Sequence, residues 1–436
     1  VRSRSAALPP ARAFDYDRDV VPPQRRHEMR EVKWPYGWGR VGYSWEDREP
    51  WLHLPFPASE YEERIERLRR GMRERGLDGL VVHGNRAERA PIRYLSNFED
   101  YYGGDTLLFV PQSGAVGLTT NAVMHGEPMH SGIQETWIRD VRCAPHPRTV
   151  DYQTTTIYDH LEDFLTERGL VEGTLGVSGE YAYHAREFLR QKFPKLRQVE
   201  AAAAIGETMM RKSDAEVALM KQVALVSDAG MMALMDAARP GASEHDLAAA
   251  ANYAMFKAGA EDTAFPIAAC GGARTGFKHM VPTGRKLQAG EVVFTDMGAR
   301  YKGYCSDTAR GKIVGAGPGP EQRRFLEAQI AIVHATIEMV RPGVRIGDLA
   351  ARAIEMAKEL GYEQWFYFRG HGIGATTHIP PSFVPGSTAV LEKNMTFAYE
   401  PMFVRKDFGT ACVEDLYVVT ADGCERLSEA PEQLWE

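Results

Sequence analysis

The chain has 436 residues, 44% of them apolar and 25% charged, and a formal net charge of −7. That length exceeds what one hydrophobic core usually organises, so two domains are expected. The mild acidity gives no electrostatic reason to expect nucleic acid or an anionic membrane as a partner.

Residues 1–59 read as an arm rich in Arg and Pro that ends in the aromatic cluster WPYGWGRVGYSWEDREPWLHLPFP. Its prolines and glycines argue against long regular elements. The arm is expected either to wrap a domain or partner subunit, or to pack on its own domain. From residue 60 the pattern changes: YEERIERLRRGMRERGL puts Tyr61, Ile65, Leu68 and Met72 on one side of a charged helix. DGLVVHG reads as a buried strand, and DTLLFVP and GAVGLTT as the pair that follows. A second round runs through VDYQTTTIYDHLEDFLTERGL, GTLGVSGE and AREFLRQKFP. Helices alternating with apolar strands predict an α/β domain, 60–204 with its connector. No strand–GxGxxG–helix sequence marks a nucleotide loop.

SDAE then opens a long helix with a capping box, Ser213 at the cap and Glu216 three positions on. RPGAS ends that helix and EHDLAAAANYAMFKAG starts another. Beyond residue 265 the chain is strand-rich, interrupted by a helical stretch at 319–359. The second domain, 205–436, is therefore expected to be α+β; no internal repeat is evident in it, with two similar halves diverged beyond recognition as the alternative. Cysteines at 143, 270, 305, 412 and 424 include no Cys-x-x-Cys, which excludes a zinc knuckle or dithiol motif and fits a reducing compartment. No apolar run approaches the ~18 residues of a membrane span, so a cytoplasmic enzyme or binding protein is expected.

The stretch EVVFTDMGARYKGYCSDTARG, 291–311, carries two acids inside apolar strand patterns. A turn centred between Tyr301 and Lys302 sets Asp296 directly opposite Asp307, with Cβ atoms about 5 Å apart. Two carboxylates beside apolar side chains repel one another and resist desolvation, and a bound cation reverses both effects. A solvated turn with two unrelated acids is the competing reading. Downstream, FRGHGIGATTHIPP places His371 among glycines with His378 seven residues on. NMTFAYEPM puts Glu400 at the end of a strand. In CVEDLYVV, Cys412, Glu414, Leu416 and Val418 share one face and Asp415 takes the other. Four carboxylates and an imidazole offer an oxygen-rich site with one nitrogen, suited to Mn, Fe, Co or Zn. Four negative charges exceed what one divalent ion neutralises. Two ions about 3.5–4 Å apart, a spacing taken from known two-metal sites, balance them better.

The series Asp296, Asp307, His371, Glu400, Glu414 resembles the metal-ligand set of the creatinase, prolidase, aminopeptidase P and methionine aminopeptidase superfamily. The resemblance spans about 60–436, through RIERLRRGMRERGLDGLVV, IRYLSNF, RKSDAEVALM, FKHMVP, TDMGARYKGYCSDTAR, GHGIGATTH, AYEPM and VEDLYVVTADGCERL. It implies a pita-bread catalytic domain preceded by a smaller creatinase/prolidase-like α/β domain, and two divalent ions. It also implies roles: Asp296 chelates one ion, Asp307 and Glu414 bridge both, and His371 and Glu400 hold the other, with Glu400 shuttling protons. His279 and His378 occupy positions that contact substrate or the tetrahedral intermediate, the competing reading being core or helix-cap histidines.

Three departures bear on substrate. HIPP stands where proline-specific relatives commonly carry HE-x-P, so Ile379 replaces an acid; EPM stands for EPG, with Met402; and Cys412 occupies a place often taken by arginine. Met402 resembles the corresponding residue of creatinase. The first expectation is a dinuclear C–N hydrolase of the Xaa-Pro aminopeptidase/prolidase type. The alternative is a non-peptidase acting on a small zwitterion, by ectoine- or creatine-like hydrolysis or a sulfonium lyase reaction. A binding protein on a retired peptidase fold is the third, and no ligand is missing to favour it. Trp34, Trp38, Trp45 and Trp51 would suit a cationic substrate if the arm reached the cleft. The resemblance also implies a homodimer in which a loop such as NFEDYYGGD, 97–105, enters the partner's cleft, with a solvated loop as the alternative.

Overall fold

A computed structural model describes residues 45–436 except 101–103, 125–126, 129–134, 146–155, 180–182, 278–279, 407 and 434–436. Trp34, Trp38, Tyr101, Tyr102 and His279 lie outside the described residues.

The helix Ala58–Glu74 buries Tyr61, Ile65, Leu68 and Met72, the face its spacing predicts, and also Arg64. It covers a seven-stranded sheet ordered Glu127–Pro128, Gly117–Met124, Thr106–Pro111, Gly79–Gly84, Gly173–Ser178, Leu196–Glu200, with Asp140–Pro145 paired parallel to Gly117–Met124. Gly79–Gly84 is buried on both faces. Leu80 and Val82 meet Ile65, Leu68 and Met72, while Val81 meets Leu161, Phe164 and Leu165 from the helix Ile157–Glu167. The described end of the arm packs on its own chain: the Arg139 guanidinium lies 5.0 Å from the Trp45 ring centre, and Phe56 meets Tyr61 and Tyr304 edge-on.

The second domain consists of two similar halves. Helices Asp214–Ala237 and Glu244–Lys257 cover one core, and Pro320–Ile337 and Ile346–Glu359 another. Asp214–Ala237 is, among the described residues, the one helix long and apolar enough to cross a membrane; its apolar face lies in the first core. It starts at the predicted capping box, the Glu216 N–H donating to Ser213 Oγ at 3.1 Å and the Ser213 N–H to Glu216 Oε2 at 2.8 Å.

The first helix of each half is followed by Arg-Pro-Gly, at 239–241 and 341–343. Gly241 and Gly343 both take positive φ, 87° and 91°. Their N–H groups donate to Leu287 and Leu391 carbonyls at 2.9 Å. Each leucine leads through a left-handed residue, Gly290 or Asn394, into a strand ending in an acid, Asp296 or Glu400. These are the two similar halves that the sequence left open, diverged too far to be evident as a repeat. RPGASEHDL and RPGVRIGDL share Arg, Pro, Gly, Asp and Leu at one spacing, but the residues between them diverged with their local bonding. Ser243 Oγ donates to Asp246 at 2.7 Å, whereas Arg345 Nη2 donates to Asp348 at 2.8 Å.

The hairpin register also differs from the expected one. Asp296 faces Ala309 rather than Asp307, because the turn is Lys302-Gly303, with φ of 49° and 81°. Such a turn needs left-handed backbone at both positions, which glycine supplies without strain. Asp307 becomes a diagonal neighbour of Asp296 on the same face, still within reach.

Candidate metal centre

Successive pairings run one row of residues across the domain. Ala268 pairs with Asp296, Asp296 with Ala309, and Ala309 bridges to Glu414. Tyr399 pairs with Asp415, so the next step of that register sets Glu400 opposite Glu414. Gly370 pairs with Tyr399, and the Glu400 N–H donates to the Arg369 carbonyl at 3.3 Å, which sets Arg369 at the far end. Strand partners share a face, so Asp296, Glu414, Glu400 and Arg369 project together. Asp307 and His371 flank the row on one side. Phe294, Met402 and Cys412 flank it on the other, where they pack with Ala309 in a small buried apolar cluster.

The five sequence-predicted ligands thus converge. His371 Nε2 lies 3.5 Å from Asp307 Oδ2 and 4.0 Å from Glu400 Oε1. Donor atoms of Asp307, His371 and Glu414 lie within 4.8 Å of one another. None of the five is more than 5% exposed. His371 Nδ1 is 3.2 Å from the Gly372 carbonyl, an acceptor that assigns the ring proton to Nδ1 and leaves the Nε2 lone pair facing the acids. The His378 ring stacks on that of His371 at 3.8 Å, and its Nδ1 is 3.1 Å from Thr377 Oγ1.

The electrostatics of this cluster are unfavourable without a cation. Burial pushes the Asp296 carboxyl up to about 6, against the opposing pull of Asp307 hydrogen bonding and the Arg369 charge. Burial, then the charge of Asp296, holds Asp307 well above the carboxylate range; burial, then Asp307, does the same to Glu414. Burial and the neighbouring His378 lower His371 to about 4. Among the described residues, Asp307 Oδ1 and Glu414 Oε1 are buried with no hydrogen-bond partner. Oxygen donors with one imidazole, two of the oxygens orphaned, fit divalent transition-metal ions, whose charge would remove the repulsion that raises the carboxyls.

Two arginines escaped sequence reasoning. Arg310, fully buried, donates to the Glu414 carbonyl at 2.7 Å, the Ala309 carbonyl at 2.9 Å and Asp415 Oδ1 at 2.7 Å, so it clamps the strand that follows Asp307 to the segment that presents Glu414. A cation inside the strand pattern TARGKI was its available signal. Arg369 is described below; only strand register reveals it. Of the 97–105 loop, residues 101–103 lie outside the described residues; at its two ends Asn97 Nδ2 donates to the Glu135 carbonyl at 2.9 Å and Asp105 Oδ1 lies 2.9 Å from His83 Nε2.

Residues 218–421 match the model of metallopeptidase family M24, and residues 64–208 that of the creatinase/prolidase N-terminal domain. The Xaa-Pro dipeptidase of Pyrococcus furiosus is 28% identical over 262 residues, 60% of this chain and 75% of that protein. The ectoine hydrolase of Halomonas elongata is 24% identical over 421 residues, 88% of this chain and 99% of that protein. Among solved structures, the Xaa-Pro dipeptidase from Bacillus anthracis superposes with a TM-score of 0.74 at 24% identity, covering 86% of this chain and 99% of its own.

Proposed function

The chain belongs to the creatinase/prolidase/aminopeptidase P superfamily and is a metal-dependent hydrolase, and we propose that it cleaves the C–N bond of an Xaa-Pro-type dipeptide at a dinuclear centre. The observation that carries the reading is the convergence of Asp296, Asp307, His371, Glu400 and Glu414 with two buried carboxylate oxygens lacking partners. Asp296, Asp307, His371, Glu400 and Glu414 would hold two ions of Mn, Fe, Co or Zn, which would balance the four carboxylates better than one. When bound, such ions supply Lewis acidity, acidifying a water nucleophile and polarising the scissile carbonyl.

The chain's own residues supply the rest. Glu400 accepts the proton of the attacking water at a carboxylate oxygen and returns it to the leaving nitrogen. His378, exposed but stacked against His371, offers an imidazole N–H to the developing oxyanion, and His279 is the second candidate for that role. Residues 60–204 serve as the smaller domain and 205–436 as the catalytic one, in a cytoplasmic homodimer. The five unpaired cysteines support a reducing compartment.

A second reading, hydrolysis or lysis of a small zwitterionic metabolite at the same centre, has one observation in its favour. Met402 and Cys412, two of the departures from the proline-specific pattern, pack together beside the carboxylate row, so an apolar floor lies where a guanidinium is common. An activity screen of the metal-loaded protein decides between them. Turnover of Xaa-Pro dipeptides supports the first reading. Turnover of ectoine, creatine or sulfonium compounds alone replaces it with the second.

A further inference from the structure

The two halves of the catalytic domain place Asp296 and Glu400 at equivalent strand ends, yet their cross-strand partners differ. Asp296 faces Ala268, whereas Glu400 faces Arg369. The Arg369 side chain is 44% exposed, and its Nε lies 3.5 Å from Glu400 Oε1. That is its one ion pair among the described residues, and its side chain donates no hydrogen bond among them. A guanidinium has five donors in a planar fork suited to a carboxylate. Here it stands at the open end of the row, with its charge felt as far as Asp296 and His371. A purely structural arginine resembles Arg310, which is buried and spends its donors on carbonyls and Asp415. Arg369 spends none.

We propose that Arg369 is a specificity-determining residue that binds a carboxylate on the leaving fragment of the substrate. The placement rests on the proposed role of Glu400: the carboxylate that returns a proton to the leaving nitrogen lies directly beside Arg369, so a fragment leaving over Glu400 brings its own α-carboxylate within reach of the guanidinium. The substrate class is then a molecule that releases a free amino or imino acid, a dipeptide or N-acyl amino acid. A peptide extended beyond that residue carries no charge there and leaves the guanidinium with Glu400 as its one acidic partner among the described residues. Phe294, Met402 and Cys412, on one side of the row, offer no cation of their own.

The test compares the metal-loaded full chain with Arg369→Gln and Arg369→Lys, using Ala-Pro and its C-terminal amide. Loss of a charge-assisted hydrogen-bonded pair corresponds to about 10- to 100-fold in binding. In the wild type the amide-to-acid ratio of KM is expected in that range; it falls towards one in Arg369→Gln and is partly kept in Arg369→Lys, with the loss in KM rather than kcat. Metal content is measured in each variant, so that a disturbed centre is recognised. Calorimetric titration with proline and prolinamide reads the same contrast without turnover. A wild type that binds proline better than prolinamide but cleaves neither Ala-Pro nor its amide overturns the peptidase reading and leaves the anion subsite standing. Equal affinity for the two, no binding of either, or an equal loss on acid and amide in Arg369→Gln overturns the subsite.

Discussion

Asp307 and Glu414 each keep a buried oxygen without a partner, and that sets how the protein responds to pH and metal. A carboxyl raised by the fold favours the folded state fully below its unfolded value, and that contribution is lost as pH rises through the folded one. For Asp296 the window runs from 3.8 to about 6. Over part of that range His371, lowered from 6.5 to about 4, acts in the opposite direction. Above 6.5 the imidazole is neutral in both states, and the fall due to Asp307 and Glu414 is opposed from about 7 upward by Lys212, whose ammonium burial lowers to about 7. Two carboxyls outnumber one ammonium, so thermal unfolding of chelated protein between pH 6.5 and 8 is expected to show Tm falling with pH. Added Mn or Zn reverses the slope, because deprotonated carboxylates bind the ion and stabilise by about 2.7 kcal/mol at a hundredfold excess over Kd. A slope unaffected by metal contradicts the assignment. Glu414→Gln removes one charge at constant shape. The chelated variant is expected to melt above chelated wild type, because burial and Asp307 disfavour the Glu414 carboxylate, and to lose the metal-dependent rise in Tm together with turnover. The acids were legible in the sequence because each interrupts an apolar strand pattern. Arg369 was not, since an arginine before glycine in FRGHG reads as an exposed loop, and its meaning comes from the residue opposite.

Hairpins and repeats show where element-level reading succeeds and where it needs more than alternation. Strand faces followed from the period of two: Leu416 and Val418 enter one core and Tyr417 and Val419 the other. Register did not, because it depends on which two residues turn. The glycine at 303 pointed to Lys302-Gly303, and with it to a diagonal rather than direct pairing of the acids. The repeated RPG-x4-DL was likewise present in the sequence, hidden by different capping chemistry in the two halves. The hairpin also depends on close approach at Gly298, where a Cβ would lie 1.9 Å from the Ser306 backbone oxygen. Both residues sit between paired segments, one residue from the strand that carries Asp296 and the other adjacent to Asp307. Gly298→Ala is expected to cost about 2–3 kcal/mol, as overpacking against an immovable backbone does, and to weaken metal binding because the clash opens the hairpin between its two acids. Denaturant unfolding and a metal titration measure the two effects; an alanine variant with unchanged metal affinity shows that the hairpin adapts elsewhere.

The two domains meet around one buried carboxylate. Glu216 is fully buried, closes the capping box of the long helix, and accepts from the Tyr304 hydroxyl at 2.6 Å. Arg64 and Arg67, from the first helix of the smaller domain, approach it at 3.8 and 3.7 Å. Arg64 also lies over the rings of Phe56, Tyr61 and Tyr94. One acid therefore ties the smaller domain, the start of the catalytic domain's longest helix, and the hairpin tip next to the Lys302-Gly303 turn. Two further cross-domain pairs differ in kind: Arg89 to Asp262 at 3.0 Å and Arg93 to Glu261 at 2.7 Å end on acids that are 45% and 31% exposed. Exposed pairs contribute about 0–1 kcal/mol, whereas removing one partner of a buried network costs about 3–5 kcal/mol. Asp262→Asn is thus expected to leave the calorimetric profile within about 1 kcal/mol of wild type. Glu216→Ala is expected to split a joint transition into two, the smaller domain melting first, because it removes the buried carboxylate that Arg64, Arg67 and the Tyr304 hydroxyl share, together with the capping-box bond from the Ser213 N–H. Ser213→Ala, which removes the cap alone, separates these contributions at about 1 kcal/mol. If Glu216→Ala melts in a single step close to the wild-type Tm, the domains are held together by their apolar contacts, and the buried carboxylate serves only the local helix.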